Sequence, residues 1–105
     1  MKAPVIRVSI GFFDPDKVSV VEKNLMATKL KLEAAVRTMP GNISYSAGID
    51  RTNNAIINVS MWNTVGHANQ MEGFQPMQEL AREFIALGVR FQRPILNFET
   101  TWEIP

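Results

Sequence analysis

The segment INVSMWNTVGHANQM, Ile57 to Met71, sets the reading of the whole chain. Its first half alternates as a β-strand does, which puts Asn58, Ser60 and Trp62 on one face. A carboxamide and a hydroxyl beside an indole are costly to bury unless each finds a hydrogen-bond partner. They make sense on an inward face if that face lines a cavity that something else fills. The second half leaves the strand at Asn63, and Thr64 is a residue type that caps a helix start.

Working back from this segment, "NISYSAGID" alternates Ile43, Tyr45, Ala47 and Ile49, and "DRTNN" has the composition of a turn. The spacing therefore predicts a hairpin whose second strand is Ala55 to Asn63. Upstream, Val18, Val21, Leu25, Leu32, Val36 and Met39 recur at helical spacing, and Pro40-Gly41 stops that helix. "PVIRVSIGFF" alternates Ile6, Val8, Ile10 and Phe12 against Val5, Arg7, Ser9 and Gly11, a first strand closed by "DPDK".

Downstream, Gly73 and Pro76 divide the second helical region into a short piece and a longer one, with Pro76 in the latter's first turn. Met77, Leu80, Ala81, Phe84 and Leu87 form its apolar stripe, and Gly88 ends it. "PILNFETTWEI" supplies a last strand carrying Leu96, Phe98, Thr100, Trp102 and Ile104 on one face. The order is β-α-β-β-α-β, an α+β domain filling residues 1–105 without an internal boundary. Both helices then cover one face of a mostly antiparallel sheet, and the other face needs a cover of its own. A second subunit's sheet is the expected lid. Arg7 and Ser9, with Glu99 and Glu103, read as ion-pair positions at that seam.

Composition excludes several function classes. At 105 residues, 46% hydrophobic and 20% charged, the chain is an ordinary globular domain; a formal charge of +1 with mixed signs offers no basic stripe for nucleic acid. No apolar run is long enough for a bilayer and "MKAPVIRVS" lacks a signal peptide's apolar block, so cytoplasm is the expected compartment. Without cysteine and with His67 as the one histidine, the usual zinc sets and thiol chemistry are ruled out, and no metal or cofactor is implied. No phosphate loop and no nucleophile elbow is present.

The pattern, with "MWNTVGHANQM" running from a strand-end Trp into a helix, resembles the antibiotic biosynthesis monooxygenase-like family across Val5 to Ile104. The resemblance implies two ferredoxin-like subunits packed sheet to sheet as a dimeric α+β barrel, each with a cleft between sheet and helices. It implies a cofactor-independent monooxygenase acting on an aromatic or quinol-type substrate. By the same resemblance Asn58 and Trp62 match the family's strand Asn and Trp, and Arg82 its helix Arg. Ala68 stands where a family Tyr is expected, Gly48 near a strand His, and Met71-Glu72 where haem-degrading relatives carry an iron-ligand His.

Each residue carries two readings. Asn58 and Trp62 either donate to a ligand oxygen or pack and satisfy backbone. His67 is either a general base or an exposed helix-start residue. Arg82 either holds an anionic substrate oxygen or lies solvated beside the apolar stripe. Ser60, Met71, Phe74, Met77 and Phe84 either wall a substrate pocket or form plain core. The alternative to an enzyme is a non-catalytic homodimer of the same fold, binding a small ligand or serving in stress. A void below roughly 300 Å³ would not admit a polycyclic substrate.

Overall fold

The computed structural model describes residues 4–105. Strand β1, Val5–Phe12, runs through a 3₁₀ turn at Pro15–Lys17 into α1, Val18–Arg37; Pro15 suits that turn because it has no N–H to leave unbonded. Strand β2, Asn42–Asp50, and β3, Ala55–Trp62, form the expected hairpin. Its turn is held by Asp50, whose Oδ1 accepts from the backbone N–H of Thr52 and Asn53 at 3.1 Å each. Next come α2, Val65–Ala68, a 3₁₀ stretch at Asn69–Gly73, and α3, Gln75–Ala86. The Thr64 hydroxyl caps α2 by accepting from His67 N–H at 3.0 Å.

The sheet order is β2-β3-β1, with β4, Arg90–Phe91, and β5, Leu96–Glu99, both antiparallel to the free edge of β1. This is the ferredoxin-like arrangement, with the last strand in two pieces. Gln92–Ile95 separates them and contains Pro94, which cannot donate to the ladder. The expected long final strand ends at Glu99; Trp102 and Ile104 lie beyond it without regular structure, 75% and 82% exposed. No helix among the described residues is long and apolar enough to cross a membrane.

Register decides which face does what. In the β1/β3 ladder Val5 faces Trp62, Arg7 faces Ser60, Ser9 faces Asn58 and Gly11 faces Ile56. These pairs lie under the helices. The regular apolar set of β1, Ile6, Val8, Ile10 and Phe12, points away from them beside Met61, Val59, Ile57 and Ala55. Arg7 and Ser9 are thus on the helix side and not at the outer seam. The apolar core divides accordingly into two end blocks: Phe13, Val21, Ile56, Phe84 and Val89 at one end of the sheet, Val5, Trp62, Ala68 and Met71 at the other. Leu32, Val36 and Leu80 join α1 to α3 between them.

Gly11 marks how closely the first block is packed. A Cβ there would lie 2.6 Å from Val89 Cγ1 and 2.9 Å from the Phe91 ring. Gly48, on the outward side of β2, has nothing within 4 Å. Gly11→Ala is expected to destabilise the fold by about 1–3 kcal/mol, as overpacking does, while Gly48→Ala leaves the urea midpoint close to wild type. Equal midpoints for the two variants would contradict this packing.

Candidate active site

Between the two core blocks the helix-covered face of the sheet is polar. Arg7, Ser9, Asn58 and Ser60 form its floor, and Tyr45 joins from β2, facing Ser60 across the ladder. Leu25, Thr28 and Leu32 of α1 and Met77, Leu80 and Phe84 of α3 supply the walls. The space between them, partly open to solvent, is about 70 Å³. At roughly 10–15 Å³ per water-sized sphere, that is room for a small guest, not a polycycle. Leu25, Thr28, Leu32 and Tyr45 also border a larger groove of about 710 Å³ between α1 and β2.

Trp62 reaches this space only indirectly. It is fully buried, and its Nε1–H donates to Ser60 Oγ at 2.9 Å. Its donor is thereby occupied within the fold, so the direct contact with a ligand oxygen expected from the sequence is corrected: the indole N–H meets Ser60. Because Ser60 Oγ accepts that bond, the hydroxyl's own proton is left for another acceptor.

His67 and Arg82 are not brought to the cleft. His67 Nδ1 lies 2.9 Å from Thr64 Oγ1, and the ring packs against Gly41, where a Cβ would collide with it. Gly41 has φ +75°, so the lack of a side chain serves both the turn and the imidazole. His67 thus sits at the helix start, but half-buried against Gly41 and not exposed as that reading had it. Arg82 is exposed on the outer side of α3, so the solvated reading holds there. Met71, Met77 and Phe84 border the cleft. Phe74 packs behind it, against the Trp62 and Leu80 blocks.

The sequence reading missed Arg7, Ser9, Tyr45 and Arg93 as cleft residues. Facing Ser60 and Asn58 is the signal that identifies the first two, and it becomes visible only once strand register is known. Among the described residues the Asn58 carboxamide, the Ser9 hydroxyl and the Tyr45 phenol make no side-chain hydrogen bond within the fold. Burial pushes the Tyr45 phenol up to about 12, against a smaller opposing pull from Arg7. Tyr45 is therefore a protonated donor at neutral pH, not a base. Among the described residues no carboxylate and no imidazole lines the space.

No protein-family model matches the sequence, and no curated protein matches it either. Solved structures do. One, provisionally named an antibiotic biosynthesis monooxygenase, from Deinococcus radiodurans, is 14% identical with TM-score 0.72 over 96% of both chains. Another of that provisional name, from Nitrosomonas europaea, is 13% identical with TM-score 0.70 over 97% of this chain and 94% of its own. A variant of SnoaB, a cofactor-independent oxygenase from Streptomyces nogalater, is 14% identical with TM-score 0.69 over 98% of both. The chain thus has the α+β, ferredoxin-like fold of proteins bearing the family name that its sequence resembles; at these identities the likeness is one of fold.

Tyr45 is the chain's one tyrosine, so its ionisation can be followed directly by absorbance. Its folded pKa stands above the ordinary value of 10.0, so the neutral phenol is favoured by folding. The stability it contributes is present below that ordinary value and is lost as pH rises towards about 12. Wild type is expected to lose stability over this window more steeply than Tyr45→Phe, and phenolate absorbance should appear near its upper end. Ionisation at the ordinary value would contradict the burial of this group.

Proposed function

We propose that the cleft is the active site of a cofactor-independent oxygenase acting on a small, monocyclic phenolic or quinol-type substrate. The observation that carries this reading is the row of unpartnered donors, Asn58, Ser9 and Tyr45, aimed into an apolar-walled space beside a guanidinium. Such donors favour the ionised form of a bound enol or phenol, as oxyanion holes do. With no base in the cleft, the proton leaves to solvent. In the keto tautomer the carbanion then bonds O₂, and loss of water from the hydroperoxide turns CH₂ into C=O. The substrate carbon supplies all four electrons, one oxygen atom stays in the product, and the other departs as water. The apolar walls keep bulk water from the reacting carbon.

The small space also favours a second reading, a non-catalytic binder of the same ligand class. Oxygen consumption with mono- and bicyclic quinols separates the two. Asn58→Ala should lower kcat by about 10²–10³-fold, the usual effect of removing one oxyanion donor. His67→Ala should leave the rate and its pH profile unchanged, the profile rising with substrate ionisation in both proteins. Binding of quinols without O₂ uptake would select the binder, and a wild-type rate in Asn58→Ala would remove the proposed floor.

The partner reading is a homodimer closed through the outer sheet face. It is supported by the uncovered apolar side chains there: Ile6, Val8 and Ile10 of β1 beside Val59 and Met61 of β3, with Leu96 and Phe98 of β5 54% and 48% exposed. Sedimentation at micromolar concentration should give twice the 11.8 kDa chain mass. Val59→Asp, which places a charge in the middle of this face, should shift the mass to that of one chain. A monomeric wild type would contradict the dimer.

A further inference from the structure

The charge of the cleft points beyond the reaction type to the kind of molecule it takes. Arg7 is 6% exposed, and a guanidinium carries five N–H donors. Among the described residues it makes one hydrogen bond, from Nη1 to the neutral Asn97 Oδ1 at 3.3 Å. The nearest carboxylate, Glu72, is 4.0 Å away with its side chain 69% exposed, so water screens it. Burial lowers the Arg7 pKa from its ordinary range, with Glu72 opposing. The remaining donors of this largely buried cation face the cleft, and an anion is the partner that would meet both those donors and its charge.

A second cation borders the same space. Arg93 stands at the solvent side of the cleft, its guanidinium carbon 5.2 Å from the centroid of the Phe91 ring. Its hydrogen bond goes to the Gln92 carbonyl at 3.2 Å, and among the described residues it makes no salt bridge. Two guanidinium groups and three neutral donors therefore border a volume that no acid among the described residues lines.

We propose that the substrate is a carboxylate-bearing hydroxylated monocycle, its carboxylate held by Arg7 with Arg93 at the mouth and its ring against the Met and Phe walls. This rests on the reading of the cleft as a small-molecule site and names its substrate class. A neutral phenol would bring no charge to Arg7 until it ionised, whereas a carboxylate is charged on arrival. A planar guanidinium fork matches a carboxylate's two oxygens. The hydroxyl to be ionised then lies towards Asn58 and Ser9, so the two anionic oxygens of the reacting molecule have separate partners.

The test is anaerobic binding by calorimetry, with four probes: benzoate, benzamide, 2,5-dihydroxybenzoate and hydroquinone. In wild type each carboxylate should bind at least about tenfold tighter than its neutral counterpart, the worth of one charge-assisted contact. Arg7→Gln should abolish that preference while hydroquinone affinity stays within about twofold, and Arg93→Gln, at an exposed position, should reduce the preference without affecting folding. Equal binding of benzoate and benzamide to wild type overturns the proposal with no variant needed, as does a preference that survives Arg7→Gln. Oxygen uptake on neutral quinols with no carboxylate preference sinks this inference alone. Carboxylate preference without oxygen uptake sinks the oxygenase reading alone.

Discussion

The antiparallel register of β1 against β3 is the constraint on which everything else depends. It sets Arg7 opposite Ser60 and Ser9 opposite Asn58 in the middle of the helix-covered face, with Val5–Trp62 and Gly11–Ile56 closing the two ends. A slip of one residue would exchange the faces of a whole strand, carrying the polar set out to solvent and Ile6, Val8 and Ile10 in beneath the helices. Trp62 and Ile56, both essentially buried, hold the register from either end, because neither could be turned outward without exposing a large apolar side chain. The cleft is what remains between two well-packed blocks when the pairs joining them are polar.

This layout reverses the usual assignment of faces. The cleanest apolar stripe in the chain points away from its own helices, and the mixed stripe points towards them. The first arrangement leaves the domain with a face to cover; the second leaves it with polar groups to satisfy. Among the described residues the fold satisfies the Trp62 indole on Ser60 and the Thr28 hydroxyl on the Leu25 carbonyl, and leaves Asn58, Ser9, Tyr45 and most of the Arg7 guanidinium lining the space between the blocks. Those polar groups are the ones on which the proposed small-molecule site rests.

Much of the architecture is legible from periodicity and punctuation. Helical spacing from Val18, the stop at Pro40-Gly41, the Thr64 cap and the division at Gly73 and Pro76 all have local causes, and all appear where those causes place them. The final strand is the exception. Its alternation runs on to Ile104, but alternation says nothing about whether a neighbour is present to pair with, and the ladder with β1 ends at Glu99. The site was half legible for the same reason. Asn58 and Ser60 follow from the pleat of one strand, whereas Arg7, Tyr45 and Arg93 come from three other strands or their margins and meet them only through tertiary pairing. His67 and Arg82 are attractive as chemistry, yet a helix cap claims the first and the solvent side of α3 the second.

The polar floor is carried by strands and most of the apolar wall by α1 and α3, and this division has an evolutionary consequence. Exchanging Leu25 or Met77 for larger or smaller residues alters the shape of the chamber without touching the strand pairs that align Arg7, Ser9, Asn58 and Ser60. On the proposed reading of this chamber as a small-molecule site, drift on the helices can retune which molecules are admitted, while selection on the sheet preserves the polar groups that meet them. Two traits of one small domain are written into separate layers, and a lineage can revise either without surrendering the other.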